Sequence, residues 1–191
     1  MTATFTLPTL ETERLVLRLP RMSDMSDYVA YKASERSKFT GGPIEASKSS
    51  MYFASIAGQW LLRGYGLFMA TTKTDPDVVV GGFGVFHPLM NQEEPEFGWT
   101  LYDAVFEGKG YVTEAMRAII PWSWDVMGVD TAQSHIDEGN EPSVAVAKAL
   151  GATFDAQQTE IANAPGGELY EDANETCPQV NIWRHHKGAL T

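Results

Sequence analysis

The segment Glu107-Gly108-Lys109-Gly110-Tyr111-Val112 joins two runs of different period, and that junction limits the possible folds more than any other stretch. Before it, Glu96 to Leu101 alternates as a strand does, with Phe97, Trp99 and Leu101 on one face and Glu96, Gly98 and Thr100 on the other. That second face is small and polar, as a ligand-facing surface would be. After it, Thr113-Glu114-Ala115-Met116 opens a helical run carrying Met116, Ile119, Ile120 and Met127. A glycine-rich turn from strand to helix lets several backbone amides converge on one anion, because glycine permits close approach and the first helical amides lack internal acceptors. Gly108 to Thr113 is therefore a candidate pyrophosphate seat. A tight turn with a solvated Lys109 is the other reading of the same residues. The glycine spacing fits neither GxGxxG nor GxxxxGK followed by Ser or Thr, which sets aside a nicotinamide cofactor and a mononucleotide.

Around this junction the periodicity predicts a mixed chain. Arg14 to Leu19 alternates and reads as the first strand, with one wet face, closed by Pro20. Ser23 or Asp24 is placed to cap a helix through Asp27, Tyr28, Val29 and Tyr31. Ile44 to Leu62 reads as a helix with Met51, Phe53, Ile56, Trp60 and Leu61 as its larger apolar members, beyond the break at Gly41-Gly42-Pro43. Leu67 to Thr72 and Val78 to Phe86 read as a hairpin turning at Asp75-Pro76-Asp77, with Gly81, Gly82 and Gly84 leaving room for a bulge or a neighbouring backbone. Pro121 predicts a kink or an early helix end. Thr131 to Ile136 reads as a strand and Pro142 to Leu150 as a short helix between Asn140 and Gly151. Phe154 to Ile161 and Val180 to Trp183 read as a closing strand pair around a polar loop, Ala164 to Glu175.

Composition excludes several functions. A chain of 191 residues with 43% hydrophobic side chains suits one domain. Its 14 Lys and Arg against 25 Asp and Glu give 14 − 25 = −11, a field that repels a phosphate backbone, so nucleic acid is not an expected partner. No run of 18 or more apolar residues is present, and Met1 to Pro8 has neither a basic opening nor an apolar core; a soluble, uncleaved chain with no membrane role is expected. The single cysteine, Cys177, closes no internal disulfide, builds no zinc tetrad and has no Cys-His signature; it reads as structural or incidental and favours a reducing, cytoplasmic setting. His87, His135, His185 and His186 lack metal-site spacing, and His135 reads as a core-edge residue. Core packing is the default reading for the tryptophans.

Three stretches in order carry a likeness: Thr12-Glu13-Arg14-Leu15-Val16-Leu17-Arg18; then Glu96-Phe97-Gly98-Trp99 with Gly108-Lys109-Gly110-Tyr111-Val112-Thr113-Glu114-Ala115; then Asn140-Glu141-Pro142-Ser143 through Leu150-Gly151-Ala152. Together they resemble the GNAT family of N-acetyltransferases, particularly its branch that acetylates ribosomal-protein N-termini. The resemblance implies an α/β (α+β) fold over residues 1–191 as a single domain, with a mixed, centrally splayed β-sheet flanked by helices. It implies acetyl-CoA in the opening between two parallel strands. The bend resembles the family pattern Gln/Arg-x-x-Gly-x-Gly/Ala: Gly110 matches, while Glu107 and Val112 depart from it. By the same resemblance Thr100 and Leu101 pair with the pantetheine arm, Gly108, Lys109, Gly110, Tyr111, Val112 and Thr113 form the pyrophosphate site, and Asn140 and Ser143 hold the arm or the thiol. Read as residues alone, Asn140 and Ser143 are helix-cap residues first, and the order of the motifs turns the reading toward ligand contact.

Glu96 is the leading general base, since it precedes Phe97-Gly98-Trp99 on the strand expected to approach the thioester; a structural or surface carboxylate is the competing reading. Glu93 and Glu94 read as a solvated acidic run. Relatives place a proton-donating tyrosine where this chain has Ala147, which leaves Ser143, Tyr111 or water to protonate the thiolate. The implied reaction is direct transfer from acetyl-CoA to a primary amine on a peptide N-terminus or a small molecule, with amides at the oxyanion and no covalent enzyme adduct. A homodimer is left open. A non-enzymatic acyl-CoA sensor is the alternative, because binding survives when Val112 and Ala147 depart from the pattern.

Overall fold

One sheet with an apolar surface on each side organises the molecule. A computed structural model describes residues 8–87, 94–167, 169 and 179–190; Glu93, Cys177 and most of the loop expected at 164–175 lie outside the described residues. In chain order the elements are β1 (Leu10–Glu11), β2 (Leu15–Arg18), α1 (Met25–Lys32), α2 (Ala46–Arg63), β3 (Leu67–Thr72), β4 (Val79–Phe86), β5 (Glu96–Leu101), α3 (Tyr111–Met127), β6 (Thr131–Asp137), α4 (Glu141–Ala149), β7 (Thr153–Phe154), α5 (Ala156–Asn163) and β8 (Val180–His186). The strands form an eight-stranded sheet in the order β1-β2-β3-β4-β5-β6-β8-β7, antiparallel except where β5 meets β6.

Period-two alternation sends neighbouring residues to opposite faces. Leu15, Leu17, Phe68, Phe83 and Phe97 pack under Ala115, Met116, Ile119, Ile120 and Trp124 of α3. On the other face Met69, Val79 and Tyr102 meet Tyr28 and Tyr31 of α1 and Phe53 and Ile56 of α2. A third cluster joins Ile136, Ala147, Ala152 and Trp183. The glycines of β4 serve close approach: a Cβ on Gly81 would lie 2.1 Å from the Thr100 carbonyl oxygen, and one on Gly84, at φ 148°, 2.4 Å from that of Gly66. A register shift between Ala70 and Thr71 supplies the bulge. No described helix is long and apolar enough to cross a membrane.

Several elements differ from expectation. The strand expected first is the second, because Leu10–Glu11 pairs outside it. Its wet face is dry at Arg18, which is 7% exposed and clasps Asp24 through two hydrogen bonds of 2.7 and 2.8 Å. Asp24 stands at the N-cap position of α1, but its carboxylate is turned to Arg18 and to the Arg21 amide, so it makes no cap bond to the helix. Met51 and Leu61 are both 73% exposed, because the face of α2 that packs inward runs through Phe53, Ile56 and Trp60. Pro121 does not end α3, which continues to Met127; Pro121 and Arg117 both face solvent, where the carbonyl left without an amide is hydrated. The expected strand over 154–161 stops at Phe154, since the Asp155 carboxylate accepts the Gln158 amide at 3.0 Å and starts α5. β8 runs on to His186.

The Arg18–Asp24 pair sets a stability prediction. Asp24→Ala leaves a buried guanidinium without its counter-charge and should lower the unfolding free energy by about 3 to 5 kcal/mol. Urea unfolding of the two proteins measures this, and a loss below about 1 kcal/mol would refute the role given to the pair.

Candidate active site

β5 and β6 touch at one rung and then part. Glu96 is opposite Gln133, whose amide donates to the Pro95 carbonyl at 3.0 Å, and among the described residues no further rung joins the two strands. Ser134 takes the next position with its side chain: Oγ, in a residue 1% exposed, donates to the Phe97 carbonyl at 2.7 Å. Having given its one proton there, Ser134 accepts from His185 Nε2 at 2.9 Å, which fixes the His185 tautomer. The Thr100 carbonyl points toward β4, as its approach to Gly81 requires, and the Tyr102 amide bonds Val80 there. Alternation then turns the peptide groups of Phe97, Trp99 and Leu101 toward the gap. Of the two residues expected along the pantetheine arm, Leu101 offers backbone and Thr100 its side chain.

The gap widens into a cleft of about 740 Å³, within the roughly 300–1,000 Å³ typical of small-molecule sites. One wall is Trp99, Thr100 and Leu101 of β5; another is Asn140, Pro142, Ser143 and Val146 of α4. Its floor is the bend, with Gly108, Gly110, Tyr111, Val112 and Thr113. Gly108 and Gly110 have φ of 69° and 75°, a left-handed conformation that side chains resist. Gly110 is the N-cap of α3 with no side chain capping it, and the first bond back to it comes from Glu114 N at 3.0 Å. The amides of Tyr111, Val112 and Thr113 therefore precede the helical ladder and have no acceptor within it. Val112 is only 8% exposed and packs into the core through its side chain, so its departure from Gly or Ala leaves the amide available.

Glu114 ties this helix start to the opening motif. It accepts from Thr12 Oγ1 at 2.5 Å, Arg14 N at 2.8 Å and Arg14 Nε at 2.6 Å. Partial burial raises the Glu114 pKa, but these hydrogen bonds and the Arg14 charge outweigh it and hold the carboxyl below its usual value. The Arg14 guanidinium also covers the Tyr111 ring at 4.7 Å.

Two expected site residues, Lys109 and Glu96, sit apart from the cleft wall. Lys109 is exposed, its Nζ 5.9 Å from the Phe106 ring centroid. Glu96 lies at the closed end of the gap, four residues from Thr100, about 13 Å along an extended strand. His135 Nδ1 is 3.6 Å from its carboxylate, and burial draws the His135 pKa down to about 4. The contact is thus a neutral imidazole beside a carboxylate rather than an ion pair. Ala147 is fully buried against the third core cluster, and the α4 side chain that reaches the cleft one turn after Ser143 is Val146. Asn140 does both things read for it: Oδ1 accepts the Ser143 amide at 3.4 Å, and the residue lines the cleft.

The segment Glu35–Thr40, a 3-10 helix between α1 and α2, contributes Arg36, Lys38, Phe39 and Thr40 to the cleft, beside Tyr31. Sequence reasoning missed it, because six residues with no period or motif carry no readable signal. Burial raises the Tyr31 pKa, opposed by hydrogen bonds to Thr40 and Thr100.

The family profile described as Acetyltransferase (GNAT) domain matches residues 14–153. The chain belongs to the GNAT acetyltransferase family. An acetyltransferase from Agrobacterium tumefaciens is 31% identical over 97% of this chain and 98% of its own, with a TM-score of 0.77. The microcin self-immunity acetyltransferase MccE, solved with acetyl-CoA and AMP, is 18% identical over 91% and 93% of the two chains, with a TM-score of 0.67. RimL, a ribosomal alpha-N-protein acetyltransferase, is 15% identical over 97% and 98%, with a TM-score of 0.68. The last two likenesses are of fold. This GNAT enzyme uses acetyl-CoA, and membership decides for catalysis over a cofactor sensor.

The serine bridge carries a pH prediction. His185 is 2% exposed, and burial, with the His186 charge, draws its pKa from 6.5 down to about 4. The unfolded chain takes up a proton below pH 6.5 that the folded GNAT enzyme refuses, so stability is full above 6.5 and lost as pH falls toward 4. By pH 4.5 this histidine should cost roughly 2 to 3 kcal/mol. His185→Gln, which keeps a donor for Ser134, should flatten the profile of urea midpoints between about pH 7.5 and 4.5. An unchanged slope would show that His185 is not buried in its neutral form.

Proposed function

We propose that the chain is a single GNAT domain that transfers the acetyl group of acetyl-CoA to the amino terminus of a peptide or protein. The observation that carries this reading is the uncapped start of α3 at Gly110, facing a cleft that continues into the gap between β5 and β6. Acetyl-CoA brings the acetyl thioester. The amides of Tyr111, Val112 and Thr113 hold its linked phosphates, and the Trp99 and Leu101 peptide groups take the pantetheine amides as an added strand would. Asn140 and Ser143 line the opposite wall. Glu96, at the end of the extended span that such an arm covers, accepts a proton from the acceptor ammonium. The neutral nitrogen then attacks the thioester carbon; the C–N bond forms, the C–S bond breaks, and the proton the nitrogen still has to lose passes to the departing sulfur. Ser143 carries an exchangeable proton on α4, where Ala147 carries none.

The peptide acceptor rests on the ordered likeness to the ribosomal-protein branch and on the shared fold with RimL. Steady-state release of coenzyme A, measured against matched peptides, polyamines and aminoglycosides, tests it. Turnover with peptides should exceed that with the other amines by at least about tenfold in kcat/KM. Robust turnover with small amines alone would reject the peptide reading.

For the base, Glu96→Gln should lower kcat by about 100-fold at neutral pH while leaving acetyl-CoA affinity within about twofold. An unaltered pH–rate profile in that variant would remove Glu96 from the proton path.

A further inference from the structure

Glu107 puts a carboxylate at the start of the bend, immediately before the residues that would receive a dianionic diphosphate. In a chain of net charge −11 such a group repels the ligand it adjoins. Across the cleft mouth, Arg36 Nη2 lies 2.8 Å from Glu107 Oε1, and both residues line the same cleft as Gly108 and Gly110. The two side chains are 32% and 57% exposed, so as a stabilising contact the pair is worth about 0–1 kcal/mol. Its consequence is local charge rather than fold stability.

Arg36 is presented from a braced platform. Ser37 is fully buried, and its Oγ shares one proton between the carbonyls of Ser34 and Lys32, at 2.7 and 3.0 Å. Tyr31 Oη and Thr40 Oγ1 are 2.6 Å apart, and Lys32 Nζ donates to the Thr40 carbonyl. Beyond the segment, Ile44 N donates to the Lys32 carbonyl at 2.9 Å, and a Cβ on Gly42 would collide with Ser37 Oγ at 1.9 Å. A segment stitched this closely to α1 has few ways to move, so Arg36 is held beside the bend.

We infer that Arg36 is a positioning residue for the cofactor: from the segment between α1 and α2 it neutralises Glu107, and so makes the bend receptive to a diphosphate. This rests on the bend being the diphosphate seat. With the Glu107 charge balanced by the guanidinium, the amides at the start of α3 act on the phosphates unopposed.

Calorimetric titration of coenzyme A into wild type, Arg36→Gln, Arg36→Lys, Glu107→Gln and the Arg36→Gln/Glu107→Gln double variant tests the inference. Thermal melts establish that each variant is folded. Arg36→Gln should weaken binding by about tenfold at low salt, Arg36→Lys should keep most of it, and Glu107→Gln should bind at least as tightly as wild type. The double variant should return to within about threefold of wild type, because the repelling group is gone. Dephospho-coenzyme A, which keeps the diphosphate, should show the same pattern. Wild-type affinity in Arg36→Gln, a double variant as weak as Arg36→Gln, or a loss confined to the 3′-phosphorylated ligand would each overturn the inference. Absence of saturable binding by wild type would instead overturn the reading of the bend itself.

Discussion

The parting of β5 from β6 is the constraint on which the rest of the molecule depends. A sheet closes its ladder wherever it can, since unpaired peptide groups away from water are costly. Here the ladder is interrupted after Glu96 and Gln133 by the hydroxyl of Ser134, held between the Phe97 carbonyl and His185. The interruption leaves one edge of β5 open inside an otherwise continuous sheet. An arm bearing amides can complete it, which ties the binding of an extended acyl carrier to the architecture itself.

The second requirement is that an anion seat lie at the end of that opening. In the proposed function α3 meets it, because Gly110 caps the helix without a side chain, and because Glu114, three residues past Tyr111, is clasped by Thr12 and Arg14 about 100 residues earlier in the chain. The same contacts explain why the opening stretch and the bend belong to one recognisable pattern. They are two halves of one junction, and the helix cannot turn its first amides away from the cleft while Glu114 is held.

Much of this was legible beforehand. The strand at Glu96 to Leu101 follows from period-two alternation, that at Leu67 to Thr72 from its residue types and the turn that follows it, and the bend from two glycines at a change of period. The misread elements share a cause. Asp24 and Asp155 are both of a residue type that caps helices, yet one turns to the guanidinium of Arg18 and the other begins a helix inside what looked like a strand. Pro121 read as a kink or an early end because a sequence does not say which carbonyls face solvent. The segment Glu35–Thr40 was invisible as a site, since Arg36 and Lys38 there resemble any solvated charges until the fold brings them to the cleft.

The sequence by itself determined the strand-to-helix bend, the order of the motifs and hence the family, because these rest on local backbone preference and on spacing along the chain. The tertiary structure alone decided that Val146 rather than residue 147 faces the cleft, that the Val112 side chain is buried in the core, and that Arg36 pairs with Glu107. Those outcomes depend on which faces of separate elements meet, and a linear pattern carries no record of distance between residues remote along it.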